Sequence, residues 1–297
     1  MMENEINNGL PDIQWFPGHM AKAKRLIQEN LKLVDVVIEL LDARIPNSSA
    51  NPMLKEIIGD KPRLVALNKS DLADEQETKK WLAHFREEGV QAVAIDAMQG
   101  KGVKQLVKLT GDLAKAKTQK FVKKGGKPRA ARVMILGIPN VGKSSLINRL
   151  AGSNKAKAED RPGVTKAKQW IAIGRDLNLL DTPGILWPKF SDMMVGVRLA
   201  FTGAIKDEVY DHEKITVMLL EYLAQNYPAS LTERYKLKEL SADGHELLEM
   251  IGRKRGCLVK GGIVDLEKAQ YIVLHEFRAG KLGRITLDKL AVQEATE

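Results

Sequence analysis

Short, almost uninterrupted apolar runs recur along the chain, and polar residues follow most of them. A run that is apolar on both faces is typical of a strand in a parallel sheet, because helices cover both faces of such a sheet. Segments long enough for helices separate most of the runs, which favours an α/β fold with a mostly parallel six-stranded sheet. The predicted strands are 34–41, 63–67, 90–95, 133–136, 170–173 and 177–180.

Apolar residues at helical spacing mark both ends of the chain. Near the start, Met20, Ala23, Ile27 and Leu31 fall on one face of a predicted helix. Beyond Pro188 the pattern is helical throughout, with aspartates placed where they can cap helices. We therefore predict two domains: an α/β domain over 1–190 that includes the N-terminal helix, and an all-helical domain over 191–297.

A basic segment lies between a predicted helix, 106–116, and the strand 133–136. From Lys115 to Arg132 it holds eight basic residues and no acidic one, together with two glycines and Pro128. This composition predicts a flexible linker over about 115–132. Two interpretations stay open: a solvated tether, or a contact with RNA phosphates.

The amino-acid composition limits the classes of protein to which this chain can belong. The 297 residues are 44% hydrophobic and 29% charged, which suits a soluble globular protein. The chain has no apolar run of about 18 residues and its first residues form no apolar signal segment, so a cytoplasmic protein without a membrane partner is expected. Cys257 is the single cysteine, which excludes an intramolecular disulfide. A net charge of +9 makes a polyanionic partner plausible.

The segment Gly137–Ser144 fits G-x-x-x-x-G-K-[ST], the loop that surrounds the phosphates of a nucleotide. A predicted strand precedes it and a predicted helix follows, which is the context this loop requires. Lys143 is expected to reach the β- and γ-phosphates, and the Ser144 hydroxyl to bind Mg²⁺. The residues expected around the phosphates are Pro139, Asn140, Val141, Gly142, Lys143, Ser144 and Ser145.

Further segments match a guanine-nucleotide site. In Asn68-Lys69-Ser70-Asp71, the Asp71 carboxylate can accept two hydrogen bonds from guanine, and adenine lacks that pair of donors. Lys69 can pack along the base plane. In Asp96-Ala97-Met98, the Ala97 amide can meet the guanine O6. The remaining candidates are Asp181 for Mg²⁺, the Gly184 amide for the γ-phosphate, and the Thr165 hydroxyl for Mg²⁺ when a triphosphate is bound.

The order of these motifs is rearranged. An ordinary GTPase has the phosphate loop first and the base-recognition motifs last, whereas here the base motifs come first. The chain therefore resembles the circularly permuted GTPases, over nearly its whole length. The residues that carry the resemblance are Phe16–Met20, Asp42–Pro46, the permuted motifs and Gly261-Gly262. The fold it implies is a permuted P-loop GTPase domain followed by an RNA-contacting helical domain.

The resemblance implies a function in assembly of the bacterial large (50S) ribosomal subunit. The cofactors it implies are GTP or GDP, Mg²⁺ and K⁺, with Asn140 as the K⁺ ligand. The partners are the large subunit and ribosomal RNA; DNA is not expected, and the protein is expected to be a monomer. Hydrolysis should be slow without a partner, because Ile185 stands where many Ras-like enzymes have a water-orienting Gln. The resemblance implies that His19 orients the water instead, after docking on the subunit.

Two other classes compete with this interpretation. In the first, the protein is a GTP-gated RNA-binding scaffold, and hydrolysis is incidental. In the second, it is a P-loop kinase or ATPase, which Asn68–Asp71 disfavours. His19 also has a plainer interpretation as a structural histidine, and Arg161 is a weaker candidate for an arginine finger.

Overall fold

The computed structural model describes residues 20–123, 125, 127–152, 170–180 and 192–290. The chain divides into two compact units. The first contains the described residues of Pro17–Pro188 and of Thr286–Glu297, and the second contains those of Lys189–Ile285. In sequence, the second unit is therefore inserted near the end of the first. Among the described residues, no helix is long and apolar enough to cross a membrane.

A six-stranded sheet forms the centre of the first unit, as the apolar runs predict. Its order is β3-β2-β1-β4-β6-β5, and every neighbouring pair is parallel except the antiparallel pair β5 and β6. All residues of the central strand β1 are buried, which explains why its sequence is apolar except at Glu39 and Asp42. The strands are β1 (Val36–Asp42), β2 (Arg63–Asn68), β3 (Gln91–Ala94), β4 (Ala131–Gly137), β5 (Trp170–Ile173) and β6 (Leu177–Leu180).

The strand order accounts for the permuted motifs. Reading from β4 through β5 and β6, and then from β1 to β3, places the phosphate loop after the first strand and the base-recognition motif after the fifth. The sheet tolerates this rearrangement because β1 and β4 are parallel neighbours, with Val36 opposite Val133. Both motifs therefore lie at the carboxyl edge of the sheet, where ligands bind in open α/β folds.

Helices cover the sheet. In α1, Ile27 and Leu31 are buried against β1 and β4, as their helical spacing predicts. In α4, the side chain of Asp74 caps the first turn by accepting hydrogen bonds from the amides of Gln76 and Glu77. The helices of the first unit are α1 (Met20–Leu31), α2 (Pro46–Ser49), α3 (Pro52–Ile58), α4 (Glu75–Glu87), α5 (Val103–Lys123) and α6 (Lys143–Ala151).

The predicted flexible linker is wrong over its first half. Helix α5 continues to Lys123, so residues 115–123 are helical rather than irregular. After the helix, the Arg129 guanidinium donates to both carboxylate oxygens of Asp35, at 2.8 and 3.1 Å, and the Arg132 amide donates to the same carboxylate. Part of the basic charge therefore stabilises the start of β4, which a count of lysines and arginines does not reveal.

The second unit is helical, as predicted. Aspartates cap four of its helices: Asp192, Asp211, Asp243 and Asp265 accept hydrogen bonds from amides of the first turn. Buried apolar stripes face the interior of the unit. Its helices are α7 (Met193–Phe201), α8 (His212–Asn226), α9 (Pro228–Tyr235), α10 (Gly244–Lys254) and α11 (Leu266–Arg278), with a 3₁₀ turn at Asp207–Val209.

The C-terminal segment departs from the predicted division, which assigns all of 191–297 to the helical domain. From Thr286 the chain belongs to the first unit. The Leu287 amide donates to the carbonyl of Arg44 at 2.7 Å, and the Trp81 indole donates to the carbonyl of Asp288 at 2.9 Å. These contacts join residues about two hundred positions apart, and no local pattern in the sequence signals them.

Candidate nucleotide-binding site

The phosphate loop connects β4 to α6. Its backbone takes left-handed conformations at Asn140 and Gly142, with φ of 56° and 99°. A Cβ atom added to Gly142 would lie 2.3 Å from Nδ2 of Asn68, and one added to Gly137 would lie 2.6 Å from the carbonyl oxygen of Leu40. Both glycines are therefore required for the loop to pack against the ends of β1 and β2.

Lys143 is the first residue of α6, and its ammonium lies over the loop. Its Nζ donates to the carbonyls of Gly137 and Ile138, at 3.2 and 3.0 Å. Ser144 and Ser145 are half buried in the first turn of the same helix. The N-terminus of a helix favours anions, because its amides and its dipole direct positive charge outwards. The loop thus combines a fixed ammonium with a helix N-terminus, which suits a phosphate group.

Asn68 connects the loop to the base-recognition segments. Its side-chain amide donates to the carbonyl of Val141 at 2.7 Å, and its side-chain oxygen accepts from the amide of Ala97 at 3.0 Å. The structure therefore uses both ends of this buried side chain to join the segments after β2, β3 and β4. It also engages the Ala97 amide, which the sequence analysis assigns to guanine O6; that base contact stays a prediction.

Asp96 shapes the turn after β3. Its carboxylate accepts hydrogen bonds from the amides of Met98 and Gln99, at 2.8 and 2.9 Å. Arg149 of α6 holds the same turn from the other side, because its guanidinium donates to the carbonyls of Ala97 and Met98. Arg149 is a site contact that sequence reasoning missed, and a single arginine in a helix gives no signal of it.

Lys69 and Asp71 lie in the turn after β2. Lys69 has a positive φ of 59°, and its Nζ lies 3.0 Å from a carboxylate oxygen of Asp42. Asp71 is exposed at the surface of the turn, where its carboxylate can reach a ligand. The backbone bend at Lys69 therefore directs the Lys69 side chain towards Asp42 and leaves the Asp71 side chain exposed.

Asp42 is the buried centre of this end of the site. Arg44 donates to both of its carboxylate oxygens, at 2.9 and 2.7 Å, while Lys69 pairs with one of them. Burial opposes the ionisation of Asp42, but the charges of Arg44 and Lys69 outweigh it and hold its pKa well below the usual range. In the sequence, Asp42–Pro46 is only a mark of family resemblance, and nothing in it signals this network.

Comparison with known proteins identifies the family in which these motifs occur. A family model described as 50S ribosome-binding GTPase matches residues 132–249, which include the phosphate loop. The protein named Ribosome biogenesis GTPase A is 55% identical in Bacillus cereus, over 93% of each chain, and 55% identical in Priestia megaterium, over 93% of this chain and 96% of the relative. This chain belongs to the ribosome biogenesis GTPase A family.

A solved structure agrees with the family assignment. GNP-bound YlqF from T. maritima is 30% identical, covers 90% of this chain and 98% of its own, and superposes with a TM-score of 0.62. As a GTPase of this family, the protein binds guanine nucleotides and hydrolyses GTP. The predicted circularly permuted P-loop GTPase fold is confirmed as well.

Four predicted site residues of this GTPase lie outside the described residues: His19, Thr165, Asp181 and Gly184. A Mg²⁺ ion in a phosphoryl-transfer site is held largely by substrate phosphates and water, with one or two protein oxygens. Ser144, half buried beside Lys143, has the right chemistry and position to supply one of those oxygens. The described part of the site therefore fits Mg²⁺.

Proposed function

We propose that this protein is a GTP-hydrolysing assembly factor of the large (50S) ribosomal subunit. It binds the subunit precursor at a late step, the subunit stimulates hydrolysis, and hydrolysis is coupled to release. One observation carries the proposal. The Asn68 side chain joins a phosphate loop to a guanine motif, in a chain similar over nearly its whole length to proteins named for ribosome biogenesis.

The phosphate end of the site binds the triphosphate in this proposal. Lys143 exchanges its loop carbonyls for the β- and γ-phosphates, and the Gly184 amide meets the γ-phosphate. Mg²⁺, when bound, offsets the charge of the phosphates, and the residues that would hold it are Ser144, Thr165 and Asp181. Asn140, exposed on the loop, is the proposed ligand of K⁺.

The base end gives the site its preference for guanine. Asp71 accepts hydrogen bonds from N1–H and the exocyclic amine, and the stem of Lys69 covers the base plane. Asn68 holds this segment at a fixed distance from the phosphate loop. A base without both donors leaves Asp71 unpaired, which weakens its binding.

Hydrolysis waits for the partner in this proposal. Ile185 cannot orient an attacking water, so the intrinsic rate is low. His19 accepts a hydrogen bond from that water when the N-terminal segment docks on the subunit, since a neutral imidazole nitrogen is an acceptor. The ribosome thus acts as the activator, and GTP is consumed only on a bound subunit.

A surface of the helical unit supports a contact with ribosomal RNA. The antiparallel bridge between Leu258 and Val264 closes a hairpin around Gly261 and Gly262. Large apolar side chains are exposed on the hairpin and on the helix that follows it, and exposed lysines lie in and beside the hairpin in the sequence. Aromatic rings can stack on unpaired bases, and ammonium groups can neutralise phosphates. The exposed residues are Leu258, Val259, Ile263, Tyr271, Lys254, Lys260 and Lys268.

The test is GTP turnover with and without purified large subunits, in K⁺ and in Na⁺. We expect the subunits to raise the turnover rate by about 100-fold or more, since one positioned general acid or base typically contributes about 10²- to 10⁴-fold. His19→Ala should lose most of this stimulation while keeping the intrinsic rate. His84→Ala is the matched control, because His84 lies on α4 and its side chain is partly exposed.

Four outcomes separate the claims. Turnover that is the same with and without subunits would contradict the proposed function. Stimulation that survives His19→Ala would remove only the role of His19, and equal rates in K⁺ and Na⁺ only that of Asn140. If the GTP-bound form binds subunits tightly but their presence leaves turnover unchanged, the protein is a GTP-gated scaffold instead.

A further inference from the structure

The C-terminal strap, Thr286–Lys289, buries polar side chains beside the base-recognition segments. Thr286 and Asp288 are 0% and 3% exposed. Burying a carboxylate is costly unless it is hydrogen-bonded, so a segment that served only to fill space would be expected to use apolar side chains. The strap is therefore built to make particular polar contacts.

One set of contacts holds the segment that follows β1. The Asp288 carboxylate accepts from the amide and the hydroxyl of Ser48, at 2.6 and 2.8 Å. The Leu287 amide donates to the carbonyl of Arg44. The Asp42 amide in turn donates to the hydroxyl of Ser49, so the strap and α2 fix both sides of the Asp42–Arg44 bend.

A second set holds the segment that follows β2. The Thr286 hydroxyl accepts from the amide of Asp74 at 3.0 Å, three residues beyond Asp71. The carbonyl of Asp288 accepts from the Trp81 indole on α4. The strap therefore fixes the far end of the turn that begins at Lys69.

The two held segments meet at the ion pair between Asp42 and Lys69, whose atoms are 3.0 Å apart. We infer that the strap positions the guanine-binding turn, with Asp288 and Thr286 acting as positioning residues through Ser48 and Asp74. The inference rests on the proposed assignment of guanine recognition to Asp71. It extends the nucleotide site to the last segment of the described chain, beyond the helical unit.

The strap's hydrogen bonds described above reach Arg44, Ser48, Asp74 and Trp81 rather than the phosphate loop, so its loss should weaken the base contacts and leave the chemical step unchanged. We expect Asp288→Ala to weaken the binding of GDP and of a non-hydrolysable GTP analogue by the same factor, about tenfold. This is only part of what two lost hydrogen bonds to a charged group cost, because the strap acts on the base contacts indirectly. The turnover rate at saturating GTP should stay within about twofold.

A base-selective measurement separates positioning from general stability. IDP lacks the exocyclic amine, so it makes one of the two bonds to Asp71. Displacing the turn should weaken the binding of GDP more than that of IDP. The preference for GDP should fall by about threefold, because the bond from the exocyclic amine to Asp71 contributes only part of the affinity. A general loss of stability lowers the folded fraction equally for both ligands, so it leaves this ratio unchanged.

The experiment is calorimetric titration of GDP and IDP into the full chain, with urea unfolding of the same variants. Asp60→Ala is the matched control, since Asp60 is exposed in the turn before β2, at the opposite edge of the sheet. Thr286→Val keeps the shape of its side chain and removes the hydroxyl that accepts from the Asp74 amide. This variant replaces Asp288→Ala in the experiment if Asp288→Ala does not fold. It should weaken GDP binding by a smaller factor, about threefold.

Asp71→Ala makes the two possible failures distinguishable. If it leaves GDP binding unchanged, the assignment of guanine to this turn is wrong, and the inference falls with it. If Asp71→Ala abolishes the preference for GDP while Asp288→Ala and Thr286→Val lower stability but keep the wild-type ratio, only the strap inference is overturned.

Discussion

The two ends of the nucleotide site are built differently. At the base end, Asp42 and Arg44 are buried and paired with each other, and Lys69 also pairs with Asp42. At the phosphate end, Asn140 is exposed and the Lys143 ammonium lies on carbonyls of its own loop. The base end is therefore arranged in advance, whereas Lys143 has to exchange partners when a nucleotide binds. Affinity and turnover should accordingly depend on different residues.

The strongest way to break the comparison is Asp42→Asn. Removing the carboxylate charge leaves the buried Arg44 and the partly exposed Lys69 without their counter-charge, and breaking a buried ion pair from one side costs about 3–5 kcal/mol. We expect a loss of that size in the free energy of unfolding, measured in urea without nucleotide. Asp60→Asn, at an exposed position, should change it by less than about 0.5 kcal/mol. Equal stability for the two variants would mean that the base end is not held by this network.

The converse change at the phosphate end is Lys143→Ala. It should weaken GTP binding by about 100-fold, since a charged group loses its bonds to phosphate oxygens. The free energy of unfolding without nucleotide should stay nearly unchanged, because the helix tolerates alanine well. Titration of a GTP analogue and urea unfolding measure the two effects. Lys104→Ala, an exposed change on α5, is the control. A large loss of stability in Lys143→Ala would contradict the proposed difference between the ends.

Acid should loosen the base end in particular. The pKa of Asp42 is lowered in the folded protein, so the stabilisation it provides is complete above its unfolded pKa of about 3.9 and is lost as the pH falls further towards its folded pKa. Below about pH 4, the wild type should therefore lose up to about 1.4 kcal/mol more per pH unit than Asp42→Asn. Urea unfolding of both proteins between pH 6 and pH 3 measures this; parallel pH profiles would argue that Asp42 titrates normally.

The difference between the ends also explains what the sequence could predict. The strands and the phosphate loop were predictable because each is a local pattern, such as the apolar run 133–136 followed by Gly137–Ser144. The linker prediction failed over 115–123 because lysines do not prevent a helix. Before this segment, Leu106, Thr110 and Ala114 are buried on one face of α5, and the basic turns beyond them continue the same helix.

The base end was predictable only in its motifs. Asn68, Lys69 and Asp71 are recognisable by spacing, but the residues that hold them come from distant positions. Asp288 reaches Ser48 across 240 residues, and Thr286 reaches Asp74 across 212. No periodicity or composition marks a short tail as part of a site. Such supporting contacts are non-local, so they become visible only once the chain is folded.

The smallest predicted effect on nucleotide binding concerns Arg149, which connects the two ends of the site. Arg149 extends from the phosphate-loop helix to the carbonyls of Ala97 and Met98, so it is a direct link between them. Arg149→Ala should weaken GDP binding by only about threefold, because the guanidinium is exposed and the turn is also held by Asp96 and Asn68. Arg149→Lys should not restore affinity, since one ammonium cannot reproduce the guanidinium fork.

A loss of GDP affinity of more than about 30-fold, a free-energy cost of about 2 kcal/mol, would show that the base end depends on α6 for its shape. In that case the base end would not be arranged in advance, and binding at the phosphate loop would organise both ends together.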